Sequence, residues 1–161
     1  MFVDFSDMPD NARVWIYQSD KYLSEQESEK ILEQAESFLT QWSAHGSGLK
    51  SSAKIFHNRF VVLFLDEDHT QASGCSIDSS VNFIKSIGAE LGINFFDRTK
   101  VAFLIDNEIY IESMSNLKER VSEGVIEGNT LVFNNLVGNK KELLQKWSVP
   151  ASDTWLSRYF N

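Results

Sequence analysis

The change of hydrophobic period along this chain limits its fold more than any other feature. Arg13-Val14-Trp15-Ile16-Tyr17-Gln18 is rich in β-branched and aromatic residues, as a strand is. From Ser24 the period becomes helical, with Ile31, Leu32, Ala35, Phe38, Leu39 and Trp42 on one face. Ser24 and Glu27 have capping-box spacing, in which each side chain satisfies a free N–H of the first turn. Gly46 and Gly48 are expected to end this helix. Residues 54–60 and 61–65 then read as two strands joined around His57-Asn58, or as one long bent strand. Beyond Asp66-Glu67-Asp68-His69, a second helix carries Ile77, Val81, Ile84, Ile87 and Leu91, with Gly92 as a left-handed stop.

The remainder returns to short strands. Residues 99–105 and Ile109-Tyr110-Ile111 flank Asp106-Asn107, two residues that tolerate the positive φ of a tight hairpin. Ser115 is placed to cap a short helix through Leu117 and Val121, closed by Gly124. A strand at Thr130-Leu131-Val132-Phe133 and a helix after Asn139 follow, and Pro150 is expected to break that helix. Trp155–Phe160 forms a last aromatic-rich segment. The first part is a βαββα unit. The strand at 99–105 either completes a ferredoxin-like βαββαβ unit or pairs only with the strands after it.

Charge excludes some partners. Residues 1–97 hold 15 acidic and 7 basic side chains and residues 98–161 hold 8 of each, so the first part carries the whole net charge of −8. This argues against a nucleic-acid partner, which needs clustered Lys and Arg, and against an anionic membrane surface. One cysteine excludes an internal disulfide and any Cys-rich zinc site, and fits a reducing cytoplasm. His45, His57 and His69 lack paired spacing, so no metal is expected, and no cofactor motif is intact. No signal peptide and no membrane span are visible.

Ser73-Gly74-Cys75-Ser76-Ile77-Asp78-Ser79-Ser80 is the stretch where chemistry is first sought. Small residues leading into a helix leave N–H groups free for an anion or an activated thiol. Cys75 is the candidate nucleophile, with His57 or His69 as its base. Ser73, Gly74, Ser76 and Asp78 are candidate ligands for a small anion, with Arg59 and Arg98 as cations. Arg59, Asp97, Arg98 and Lys100 also form a polar site on paper with Asp66 and Asp68. Plainer readings stand beside these: a buried structural thiol, hydroxyls that cap the helix, an Asp78 that repels anions, and surface ion pairs.

The C-terminal part has a resemblance. The hairpin at Asp106-Asn107, Ser115-Asn116-Leu117-Lys118-Glu119-Arg120-Val121, Gly124, Asn129-Thr130-Leu131-Val132-Phe133 and Trp147-Ser148-Val149-Pro150 occur in the order and spacing of the GYF-like repeat family. So Val101 through Pro150 resembles a GYF-like domain, which implies a small module suited to protein contact. GYF domains proper bind proline-rich peptides through a Gly-Pro-Phe bulge; Ile111-Glu112-Ser113-Met114 stands at that place here. With Ser73-Gly74-Cys75-Ser76-Ile77-Asp78-Ser79-Ser80 and Phe96-Asp97-Arg98-Thr99-Lys100-Val101-Ala102-Phe103, the whole chain is similar to an uncharacterised bacterial family in which some members carry the label "ABC transporter ATPase". The nearest stretch to a phosphate-binding loop, Gly46-Ser47-Gly48-Leu49-Lys50-Ser51, has Leu49 where glycine is needed, and it follows a helix instead of a strand.

The expectation is therefore an α+β protein of two closely packed parts, an acidic βαββα unit at 1–98 and a GYF-like unit at 99–161. Its expected role is that of a non-catalytic cytoplasmic module with another protein as partner. The alternative is a thiol-dependent enzyme or small-anion-binding protein centred on Cys75.

Overall fold

The computed structural model describes all residues, Met1–Asn161. Helices and antiparallel sheets make it an α+β protein, as the periods predict. The chain divides into two compact units: Met1–Phe96 with Gly138–Lys141, and Asp97–Val137 with Glu142–Asn161.

The first unit runs β1 (Arg13–Gln18), α1 (Glu25–Gln41), β2 (Ser43–Ala44), β3 (Ser47–Gly48), β4 (Ser51–Phe56), β5 (Phe60–Leu65) and α2 (Gly74–Leu91). β5 is the middle strand of the antiparallel sheet β1-β5-β4, with Leu63 paired to Trp15 on one side and Ala53 on the other. All six of its residues are apolar and buried, so both of its faces are covered. Val61, Leu63 and Leu65 pack with Ile31, Leu39, Ile84 and Ile87. Alternate residues face the other way, where Phe64 meets Phe5 edge-on at 5.0 Å. Each fully buried side chain of this size contributes about 2 kcal/mol, which makes β5 the strand the unit is built on. Two strands, not one bent strand, are therefore formed, and His57 and Asn58 turn between them with φ of 56° and 52°.

The capping box forms: Ser24 Oγ accepts from Glu27 N–H at 3.1 Å, and Glu27 Oε1 accepts from Ser24 N–H at 2.9 Å. α1 ends earlier than its glycines suggest. Trp42 leaves the helix in extended backbone, because its indole Nε1 reaches the buried carbonyl of Ser76 at 2.8 Å. Gly46, at φ 81°, serves instead with His45 as the turn between β2 and β3.

α2 stops at Gly92 in the left-handed region, as expected. Its buried face differs from the aliphatic stripe read in the sequence. Ser76, Ser80, Ile84, Ile87 and Gly88 are buried, while Ile77, Val81 and Leu91 are half-buried. The small residues let the backbone come close. Ile93 N–H donates to Gly88 O at 2.8 Å, and a Cβ at Gly88 would lie 2.6 Å from Ile93 O and 3.3 Å from Phe95 Cδ2. Gly88→Ala is expected to destabilise by about 2 kcal/mol, since overpacking against backbone outweighs the ~1 kcal/mol of helix propensity gained. Urea unfolding checks this; a neutral or stabilising result shows that the 93–95 loop simply moves away.

The second unit has β6 (Lys100–Ile105), β7 (Glu108–Ser113), a 3-10 turn at Met114–Asn116, α3 (Leu117–Ser122), β8 (Leu131–Phe133) and β9 (Ser148–Pro150). Its sheet order is β7-β6-β8-β9, antiparallel throughout, so the strand after Asp97 pairs with strands that follow it. Asp106 and Asn107, with φ of 53° and 63°, make the expected tight turn, and Gly124 at φ 77° closes α3. Ser115 does not cap: it lies within the 3-10 turn, and α3 starts after Asn116 without a side-chain cap. α4 (Lys140–Lys146) has already ended before Pro150, which is the last residue of edge strand β9, where a missing N–H is tolerated. Phe103, Leu117, Ile126, Val132, Ala151 and Leu156 form the core.

Gly138–Lys141 returns to the first unit by main-chain bonds. Val14 N–H donates to Gly138 O, Lys140 N–H to Ala12 O and Lys141 N–H to Asp10 O. The buried Lys140 ammonium donates to Met8 O at 2.7 Å and Phe5 O at 3.1 Å.

Candidate functional site

The stretch Ser73–Ser80 is the first two turns of α2, and its polar groups are spent on the helix itself. Ser73 is the N-cap and Ser76 completes a capping box: Ser73 Oγ accepts from Ser76 N–H, and Ser76 Oγ accepts from Ser73 N–H. Ser79 and Ser80 donate to the carbonyls of Ser76 and Ile77. The Ser76 carbonyl also accepts from Trp42, and buried Tyr17 meets Ser80. Burial pushes the Tyr17 phenol above its ordinary value, with the Ser80 contact opposing. Ser76 and Ser80 therefore face the core, and Gly74, Cys75 and Asp78 face solvent. Cys75 is an exposed free thiol without a hydrogen-bond partner. No base hydrogen-bonds to it, and its exposure overturns the expectation of a buried thiol.

Neither proposed cation is bonded to this helix start, and only Arg59 shares its unit. Arg59 follows the His57-Asn58 turn at the head of β5, while Asp66 lies beyond its far end, about 20 Å along a six-residue strand. Asp66 pairs with Lys50 at 3.7 Å, and Asp68 accepts from Asn11 at 2.9 Å. Arg98, Asp97 and Lys100 belong to the second unit. There Asp97 accepts from Thr99 N–H and Oγ1–H, which hold its carboxyl below the ordinary value, the hydroxyl contributing most. Lys100 Nζ donates to Ser113 Oγ, and Arg98 is exposed without an ion pair. Local partners thus satisfy Asp66, Asp68, Asp97 and Lys100, and leave the two arginines outside any shared polar site.

Three other features are built from residues distant in sequence. The first is a cleft of about 190 Å³ in the first unit, lined by Ile84, Gly88, Ile93, Phe95 and Phe96, with Lys85 and Asn94 as its polar members. Lys85 Nζ lies 5.6 Å from the Phe96 ring centre, and Asn94 Oδ1 accepts from Phe96 N–H. The second is a polar knot in the second unit. Buried Glu112 accepts from the Tyr110 hydroxyl, Arg120 Nε (3.0 Å), Asn116 Nδ2 (3.0 Å) and Ser113 N–H (3.1 Å). Tyr110 above all, then Asn116, Arg120 and Ser113, lower the carboxyl from 4.5 to about 2 against the opposing effect of burial. With four donors on the Glu112 carboxylate, the knot fastens α3 to β7.

The third feature is a turn that holds apolar side chains in solvent. Trp147 is buried against Phe133, edge-on at 5.1 Å. Its indole Nε1 donates to Asn135 Oδ1 at 2.8 Å, and its carbonyl accepts from Asn134 N–H at 2.6 Å. Asn134 Oδ1 accepts in turn from Leu136 N–H at 3.2 Å. The turn is fastened on both sides, and Leu136 at its tip is 82% exposed. By residue type Asn134-Asn135 suits a turn and Trp147 a core position, but nothing in the sequence joins them. A leucine set between Asn-Asn and Gly138, where turn-forming polar residues are usual, is the signal that was available.

No three His, Cys, Asp or Glu side chains gather closely enough to hold a metal ion, and no helix is long and apolar enough to cross a membrane. No protein-family model matches the chain, no curated protein matches it in sequence, and no solved structure matches its fold.

Proposed function

We propose that this chain is a non-catalytic interaction module of the reducing cytoplasm, and that its second unit docks another protein. The observation that carries the reading is where exposed apolar side chains collect. Of eight large exposed hydrophobic residues, five belong to the second unit: Met114, Val125, Leu136, Leu144 and Trp155. Scattered exposed leucines are ordinary on protein surfaces. Leu136 differs in being presented by a turn that Trp147 fastens, so little ordering is left to do when a partner closes over it. The resemblance of Val101 through Pro150 to GYF-like domains supports the same reading. In a reducing compartment the exposed Cys75 stays a thiol.

The test is retention of a partner from native lysate by the tagged full chain, compared with Leu136→Asp. Retention is expected to fall at least about tenfold, a change of about 1.4 kcal/mol. Stability of so exposed a site should shift by no more than about 0.5 kcal/mol. The reading is overturned by finding no reproducible partner, or by a partner retained equally by Leu136→Asp and Leu144→Asp.

A further inference from the structure

We propose that Arg59 is an anion subsite in the first unit and that its ligand is a carboxylate. Arg59 is 7% exposed. Its guanidinium donates no hydrogen bond and makes no ion pair within the chain, and Nε is sealed from solvent without a partner. Nη1 and Nη2, equally without protein partners, keep contact with water. The other buried cation of this unit, Lys140, is treated differently: two carbonyls accept from its ammonium. A buried charge with its donors unspent is costly, and an apolar side chain of similar length would avoid that cost. Burial accordingly lowers the Arg59 pKa, with Tyr22 and Asp20 opposing.

The side chain is fixed in place. Arg59 N–H donates to Phe56 O at 3.1 Å, and its carbonyl accepts from Ser19 N–H at 2.8 Å. Asn58 O, one residue earlier, accepts from Leu23 N–H at 2.7 Å. The Tyr22 ring lies 4.1 Å from the guanidinium carbon and covers one face. A covered face leaves the nitrogen edge as the way in. That edge offers parallel N–H bonds whose spacing matches the two oxygens of a carboxylate. Charge decides against phosphate: Asp20 is near enough to act on Arg59, and residues 1–97 hold 15 acidic against 7 basic side chains. A monoanion meets less repulsion there than a dianion.

The experiment is a titration of the full-length, nitrogen-15-labelled protein with sodium acetate, with sodium chloride and sodium phosphate at equal ionic strength alongside. The Arg59 Nε–Hε signal, assigned by its loss in Arg59→Met, is expected to shift saturably with half-saturation on the order of 1–10 mM. Phosphate is expected to bind at least tenfold more weakly, and chloride to give no saturable shift. Arg59→Met fills similar space, and it is expected to fold and to lose acetate-dependent shifts at the Tyr22 and Asn58 amides. A drift common to all three salts overturns the site, as does an acetate response that survives in Arg59→Met. Saturation by phosphate at lower concentration than acetate overturns the carboxylate assignment. If Arg59→Met does not fold, the Tyr22 and Asn58 amide shifts of the wild type against the three salts decide instead: saturable with acetate alone supports the site, and a drift common to all three overturns it.

Discussion

Replacing Trp147 by alanine is expected to cost about 4 kcal/mol, the largest effect of any single change considered. Truncating a buried aromatic removes its own transfer energy and leaves a cavity, here against Phe133. It also deprives Asn135 of the indole N–H that holds the 134–137 turn. Trp147→Phe separates the two contributions. It keeps most of the packing and loses one hydrogen bond, for about 1 kcal/mol. Urea unfolding followed by far-ultraviolet circular dichroism reads both variants. Because the interaction reading rests on a fixed turn, Trp147→Phe is also expected to weaken partner retention while the core stays intact. A Trp147→Ala cost below that of Trp147→Phe would show that the ring does not fasten the turn.

The second large effect is a dependence on acid. Glu112 is held at a pKa of about 2 in the folded chain, against an ordinary 4.5. A depressed carboxyl stabilises the fold above its unfolded value and loses that contribution as pH falls through the folded one. The contribution is therefore complete above about pH 4.5 and gone near pH 2. A full shift of this size corresponds to about 3 kcal/mol. Solvent reaches Arg120, whose side chain is 28% exposed, and screens part of it, leaving about 2 kcal/mol. Unfolding midpoints of the wild type and Glu112→Gln, compared from pH 7 to pH 2, are expected to differ by that amount at the neutral end and to converge in acid. Parallel curves would show that the Glu112 charge contributes nothing.

What could be read from the sequence depends on how local the cause is. The Ser24–Glu27 box, the Gly92 stop and the turns at His57-Asn58 and Asp106-Asn107 involve neighbours in sequence, where residue type and backbone preference decide together. The face of α2 was misread because periodicity counts apolar residues, whereas close helix packing recruits Ser76, Ser80 and Gly88 for their small size. β2 and β3 are two residues each, too short to show a period. The helix stop at Trp42 rests on a hydrogen bond to Ser76, 34 residues away. The site residues divide in the same way. Helix-capping serines were legible as caps, while the isolation of Arg59 depends on where every carboxylate of the unit ends up. The Trp147–Asn135 bond spans 12 residues across a helix and a turn, and neither residue type announces the other.

The return of Gly138–Lys141 to the first unit has a consequence for how the protein is made. A ribosome releases residues 1–96 long before residue 138, so the first unit emerges without the lysine that caps the carbonyls of Phe5 and Met8. Most of the second unit is synthesised in between. The earlier-made unit thus reaches its final set of contacts after much of the later-made one has left the exit tunnel, and cutting the chain at residue 97 yields a fragment without that lysine, not a whole unit.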